Sequence, residues 1–269
     1  MSAMADLEPR LRPVLEEGGR PFGEMDAVVA LKPLVFCLSR IENLMQKVSF
    51  DPQRMEGDII TNTTMVDLKM LDSTLRIFRD VMESGLAVSP YLKVETFGSR
   101  AKILSACSIT VSAILLKAGV PVRPRGGGVI EVIDREPVRF TDMLMYWATT
   151  IDPIDVLISQ ELTSVLEMMQ TGSGRILGNL QEAPMLAVER IEERLEVLEE
   201  AGFSGVLDLG EPNMNVLGVS VERDHVGLSL VGGTNIVAAA MSQGIGLKTE
   251  SISSLTEIGE MTHIQDIVS

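Results

Sequence analysis

The chain has 269 residues, with 38 acidic against 23 basic side chains and a formal net charge of −15. Contact with phosphates needs clustered Lys and Arg that displace counterions, so this balance argues against nucleic-acid binding over the whole surface, and a local basic patch would work against the overall field. Hydrophobic residues make up 45 %, enough for a sizeable core, and with aromatics at 4 % that core is aliphatic and methionine-rich. Two cysteines, Cys37 and Cys107, form no disulfide framework, which predicts a cytoplasmic protein. The N-terminus has no basic start followed by an apolar run, as a signal peptide would. The apolar stretch Ala27–Leu38 is broken by Lys32 and Pro33, and no run reaches the ~18 residues of a membrane helix.

In chain order, residues 1–30 are rich in Pro, Gly and mixed charge and are expected to form a flexible tail, with a short helix conceivable at Leu11–Glu17. Residues 31–269 form one domain. A strand is predicted over 57–66 and a helix over 69–84, where Leu71, Leu75, Phe78 and Met82 share a face and Gly85 ends the run. Strands at 86–95 and 100–105, a helix at 107–118 and a strand at 120–132 follow. The same order then returns: strand 174–181, helix 186–201, strands 203–209 and 226–231, helix 234–243 and strand 245–251. In the helix over 186–201, Val188, Ile191, Leu195 and Leu198 make the inner face, and Glu189, Glu192, Glu193, Glu196, Glu199 and Glu200 a solvated outer one.

The recurrence is a duplication. Gly57–Asn62 matches Gly174–Asn179, and Val81–Leu86 matches Leu198–Phe203, both at an offset of 117; Lys117–Val120 matches Ser242–Ile245 at 125. Each copy has the βαββαβ, ferredoxin-like order. The expectation is therefore an α+β fold, one domain of two tandem repeats over about 46–132 and about 160–251. The copies would pack about a pseudo-two-fold axis, with a cleft between them as a natural ligand site.

In both copies the second helix starts directly after an apolar strand: Ser105-Ala106-Cys107-Ser108 with Thr110 in the first, Gly232-Gly233-Thr234-Asn235 in the second. Small residues allow close backbone approach, and free N–H groups with the helix dipole hold carboxylate or phosphate. The plain alternative is an ordinary capped turn, with Ser108 or Thr234 capping. Arg123 and Arg125 stand two apart, so in a strand both face one way and their forks suit a carboxylate; in so acidic a chain, a salt bridge to a neighbouring Glu is the competing reading. Thr171–Gly174 with Gly178 only superficially resembles a dinucleotide loop and reads as a turn. Cys107 as a nucleophile would need His225 as its base. No Ser/His/Asp order, paired-carboxylate motif or metal-ligand spacing stands out, so no enzyme, metal or cofactor is expected.

A set of runs resembles a known family: Ser39–Glu42 leading to Ser49–Pro52, Glu83–Pro90, Cys107–Thr110 with Leu115–Arg125, Glu136–Thr141, Thr149–Pro153, Thr171–Leu177, and Val231–Asn235 with Ala238 and Ala239. In order and spacing they resemble the effector domain of NrpR, the archaeal nitrogen regulatory repressor, from about Leu38 to about Leu255. The resemblance implies a sensor of 2-oxoglutarate, a dicarboxylate that accumulates when nitrogen is scarce and relieves repression of nitrogen-assimilation genes. Family repressors carry a winged helix ahead of this domain. Here about 37 residues precede the match, too few for a winged helix and not basic as a segment, so the chain resembles a stand-alone effector, a co-repressor without its own DNA-binding domain. It would act as a homo- or hetero-dimer with a DNA-binding relative or a basal transcription factor. It departs from the family pattern at Tyr146-Trp147-Ala148. The ligand residues so expected are Cys107, Ser108, Thr110, Arg123 and Arg125, with Gly232, Gly233, Thr234 and Asn235 as a second site or structural echo. The alternative function is a protein-interaction or dimerisation scaffold that binds no ligand; a third, an enzyme acting on a keto acid, would use Cys107.

Overall fold

In a computed structural model of the chain, the described residues are 35–268. The expected tail over 1–30 and the helix at Leu11–Glu17 lie outside them. The first element, α1 (Cys37–Lys47), buries Cys37, Ile41 and Met45 at steps of four, one face of a helix. The first repeat follows: β1 (Asp58–Asp67), α2 (Leu71–Glu83), β2 (Tyr91–Phe97), β3 (Arg100–Ala106), α3 (Ile109–Lys117) and β4 (Arg123–Ile133). β2 begins later than expected, because Leu86–Ser89 runs buried but outside the ladder.

A segment with no counterpart separates the repeats. It contains β5 (Glu136–Met145), α4 (Pro153–Ser159) and α5 (Val165–Thr171). The second repeat is β6 (Gly174–Pro184), α6 (Val188–Glu200), β7 (Val206–Leu209), β8 (His225–Val231), α7 (Asn235–Ser242) and β9 (Lys248–Glu257). The chain then adds β10 (Thr262–His263) and the single-turn α8 (Ile264–Ile267). The glycines read as helix stops act as such: Gly85 and Gly202 take φ +79° and +80°, a region side chains other than glycine's rarely enter. No helix among the described residues is long and apolar enough to cross a membrane.

Two five-stranded antiparallel sheets result, ordered β10-β2-β3-β1-β9 and β5-β4-β6-β8-β7. Numbered within each repeat, the shared four strands run in the order fourth, first, third, second in both sheets, the ferredoxin-like arrangement. The offsets hold to the residue, since Thr61 opposite Ala106 becomes Gly178 opposite Val231.

The closing strands, however, are exchanged. β4, at the end of the first repeat, pairs with β6 of the second, and β9, at the end of the second, pairs with β1 of the first. The second helices cross over with them: α2 packs on α7, and α3 on α6. Each sheet is thus completed by the other repeat, and a single core runs through both. Arg125 of β4 is ion-paired to the buried Glu182 of β6, a charged fastening on the exchanged strand.

The crossover points are pinned alike in both copies. The Thr110 hydroxyl accepts from Ile60 N–H and donates to its carbonyl, both at 3.1 Å. Its counterpart Asn235 accepts from Leu177 N–H at 2.8 Å and donates to Leu177 O at 3.1 Å. Beside them Cys107 N–H donates to Ile60 O, and Gly232 N–H to Leu177 O. Each second helix is thereby tied to the end of its own first strand before it leaves for the other sheet. Removing one partner strands a buried backbone group, which costs roughly 1–3 kcal/mol. We expect Thr110→Val and Asn235→Leu each to lower unfolding free energy by about that much in urea titrations, with Asn235→Leu the costlier because two side-chain atoms are lost. Unchanged midpoints in both would contradict this role.

Candidate functional site

The exchange brings the two helix starts to the centre of the molecule. Asn62 on β1 and Asn179 on β6 are register equivalents there. Asn179 Nδ2 donates across the repeats to Ser108 Oγ at 2.6 Å, and Gln181 Nε2 donates to Asn179 Oδ1 at 2.9 Å, fixing the amide. Asn62 turns to the other copy's closing strand: its Oδ1 accepts from Ile252 N–H at 3.0 Å. Ile252 has φ +51°, a region that costs a β-branched residue backbone strain of order 1–3 kcal/mol. The small residues at the helix starts have a definite task in this arrangement. A Cβ on Gly233 would stand 2.5 Å from Ala106 O and 2.8 Å from Asn62 Nδ2, so only glycine lets the second repeat's turn close onto the first.

Between these groups lies a cavity of about 20 Å³, lined by Asn62, Ser108, Asn179 and Thr234 with Tyr146 and Asp152. That is room for one water molecule. Asp152 arrives there as the N-cap of α4, its carboxylate accepting from Ile154 N–H at 2.9 Å, with Pro153 at the first helical position. It is 2 % exposed. Its Oδ2 lies 3.9 Å from Arg40 Nη2 and 4.0 Å from the Cys37 thiol. Burial pushes its carboxyl up to about 6; the Asp155 charge adds to this, while the Ile154 N–H and Arg40 oppose it. Burial also pushes the Cys37 and Cys107 thiols up to about 12 and the Tyr146 phenol well above its usual range.

Of the residues singled out from the sequence, Cys107, Ser108, Gly232, Gly233 and Thr234 line this centre. Thr110 and Asn235 face back onto the strand ends. The arginines do not join them. Arg123 pairs with Glu222 at 3.2 Å, and Arg125 with Glu182 and, at 3.5 Å, with Glu222. Strand alternation puts Glu182 on the opposite face of β6 from Asn179 and Gln181. The salt-bridge reading of this pair is the one the structure shows. His225, the base the sequence offered for Cys107, is not beside it: it starts β8, whose far end meets the centre at Gly232, ~20 Å away at ~3.3 Å per residue, and burial pushes the Cys107 thiol up to about 12. Thr171–Gly174 is the C-terminal turn of α5 leading into β6. No group of three or more His, Cys, Asp or Glu among the described residues is placed to hold a metal.

Residues 34–263 match the family model described as NrpR regulatory domains NRD1 and 2. The chain belongs to this family. Among curated relatives with NrpR names, a global nitrogen regulator NrpRI of Methanosarcina mazei is 31 % identical over 237 residues, 85 % of this chain and 73 % of that protein. Global nitrogen regulators NrpR of Methanococcus maripaludis and Methanocaldococcus jannaschii are 29 % and 27 % identical over 86 % of the chain, which spans only 40 % of their length. A crystallised nitrogen repressor-like protein from Methanococcus jannaschii superimposes with a TM-score of 0.76 at 26 % identity, over 86 % of this chain and 99 % of that one. The fold of an NrpR regulatory domain is therefore the two-repeat fold described above.

The raised carboxyl of Asp152 sets a pH dependence. A carboxyl whose folded value lies above its unfolded one holds its proton more tightly in the folded state, so stability falls as pH rises from about 4 to about 6. Asp152→Asn keeps an N-cap acceptor and removes the buried charge. At pH 8 we expect it to be more stable than the parent by roughly 1–3 kcal/mol, with the difference vanishing near pH 4 in urea titrations across pH. An asparagine variant with the parent's pH slope would contradict this.

Proposed function

We propose that this domain is the 2-oxoglutarate-sensing effector part of a regulator of nitrogen assimilation. The nitrogen role is supported by the names of the relatives above, each a nitrogen regulator or repressor-like protein. The ligand reading rests on one observation: two equivalent helix starts, at Cys107–Ser108 and Gly232–Thr234, face one another across a buried polar centre. A five-carbon dicarboxylate needs two anion holders one small molecule apart, and each repeat supplies one. Thr234, at the start of α7, makes no capping bond with its side chain and adds a hydroxyl to the lining.

A cavity of about 20 Å³ cannot admit such a ligand. The mechanism is therefore a shift between two states: closed, with Asn179 on Ser108 and Gly233 seated on Ala106, and parted, with the helix-start N–H groups turned to the carboxylates. The ligand favours the parted state by its contacts there, and the regulatory output is the change in the surface that the repeats present together. Asp152 opposes an incoming dianion while it is ionised, so binding draws a proton onto it. Arg123 and Arg125, held by Glu182 and Glu222, act on the ligand only indirectly, through the exchanged strand they fasten.

The net charge of −15 supports action through other proteins, a DNA-binding relative or a basal transcription factor, in a homo- or hetero-dimer, without direct DNA contact. A second reading, a docking scaffold that binds no ligand, is favoured by the closed centre and by exposed Phe36, Trp147 and Ile151.

Calorimetry with 2-oxoglutarate, and glutamate as control, tests the proposal. We expect saturable binding of the keto acid alone, weaker by roughly 1–3 kcal/mol in Ser108→Ala, the range for a lost bond to a charged group. Affinity should fall as pH rises through about 6, as Asp152 ionises. No heat at any pH would leave the scaffold reading standing, and binding unaltered by Ser108→Ala and by pH would exclude this site.

A further inference from the structure

We propose that the groove between α6 and β7 is a docking site for a basic, extended peptide segment of a partner protein. The duplication shows how such a groove is filled. In the first repeat the equivalent space, between α2 and β2, is taken by the chain's own C-terminal segment. β10 adds to the edge of β2, with Thr262 opposite Leu92 and His263 opposite Tyr91. Ile264 follows, 1 % exposed, its N–H donating to Pro90 O at 2.9 Å, and Gln265 reaches Glu83 of α2 at 3.4 Å. The segment thus contributes a short strand and one anchored apolar side chain.

In the second repeat nothing among the described residues takes that place. β7 ends its sheet, so its outer edge offers unpaired backbone groups, a ready template for strand addition. Beside it is an open groove of about 470 Å³, with Leu195, Val206 and Leu209 as its apolar part. Val206 is exposed and Leu209 half-buried, where a counterpart of Ile264 would seat.

The wall of the groove names the charge of the occupant. The α2 positions Leu75, Arg79 and Met82 become Glu192, Glu196 and Glu199 on α6, by the offset of 117. All three glutamates are exposed and line the groove, and none is in an ion pair among the described residues. The wall facing the chain's own segment, which carries Asp266, thus becomes a row of three carboxylates. A second copy of this chain would bring the same row against itself, and its net charge of −15 adds to the repulsion. Lysine- or arginine-bearing backbone fits on both counts, edge pairing and charge.

The test uses the full chain and a fluorescein-labelled peptide copying residues 261–267, with Asp266 replaced by lysine and two lysines added at each end. Its counterpart carries glutamate at all five positions. We expect the lysine peptide to bind, more tightly at low salt, and to shift the amide resonances of residues 206–209. Binding should weaken about tenfold or more in the double variant Glu196→Lys, Glu199→Lys, and less in Glu196→Gln, Glu199→Gln. These exposed positions leave the fold intact, as circular dichroism of both variants should show. The proposal is overturned if the lysine peptide does not bind, if the glutamate peptide binds equally, or if charge reversal changes nothing. Self-association of the chain abolished by Val206→Asp would equally overturn it, by making a second copy the occupant.

Discussion

The exchange of closing strands is the constraint on which the rest of the molecule depends. β4 completes the second repeat's sheet and β9 the first's, each carrying its preceding helix along. Neither repeat owns a four-stranded sheet, so stability is a joint property of the two. The fastening is redundant: main-chain ladders on both exchanged strands, the Arg125–Glu182 pair, and the twin anchors of Thr110 and Asn235. Losing one partner of a buried charged pair is costly because the other is left uncompensated, so Arg125 serves this interlock first.

Interlocking also decides where a ligand could act. Helix starts that would lie at separate ends of two independent units are instead brought face to face at the crossover. Their backbone N–H groups, the amides of Asn62 and Asn179, and the carboxyl of Asp152 share a centre with little space. Such a centre stores tension in identifiable places: the left-handed backbone of Ile252, held by Asn62, and an acid that burial has made weak. The same symmetry, broken at the sheet edges, leaves the first repeat's groove filled and the second's open.

The architecture was legible because the duplication preserves Gly57 with Gly174, Gly85 with Gly202, and the helical faces around Phe78 and Leu195. Asn62 and Asn179 sat inside the matched runs, but matching alone does not tell a buried amide from a solvated one. The exchange left no local trace, since β4 has the same apolar pattern whichever sheet it joins. β5 leaves no alternation in the sequence, because its side chains are mostly exposed. α1 did carry a signal, the four-residue steps of Cys37, Ile41 and Met45. Asp152 entered the sequence reading only within the Thr149–Pro153 run; its Asp-Pro pair is a helix-start signal, but its burial beside Tyr146 comes also from Cys37, which is distant in sequence. Arg123 and Arg125 read from the sequence as holders of a ligand carboxylate, with a salt bridge as the competing reading; the carboxylates they meet are Glu182 and Glu222, one of them from a strand distant in sequence.

The central claim is that the two helix starts form one coupled centre that an organic dianion parts. Backbone hydrogen exchange with and without 2-oxoglutarate tests it most directly. The account predicts that protection changes together at 107–111 and 232–237, and at the strand ends they rest on, Ile60 and Leu177. A response confined to one repeat, or to the surface with the centre unmoved, would contradict it.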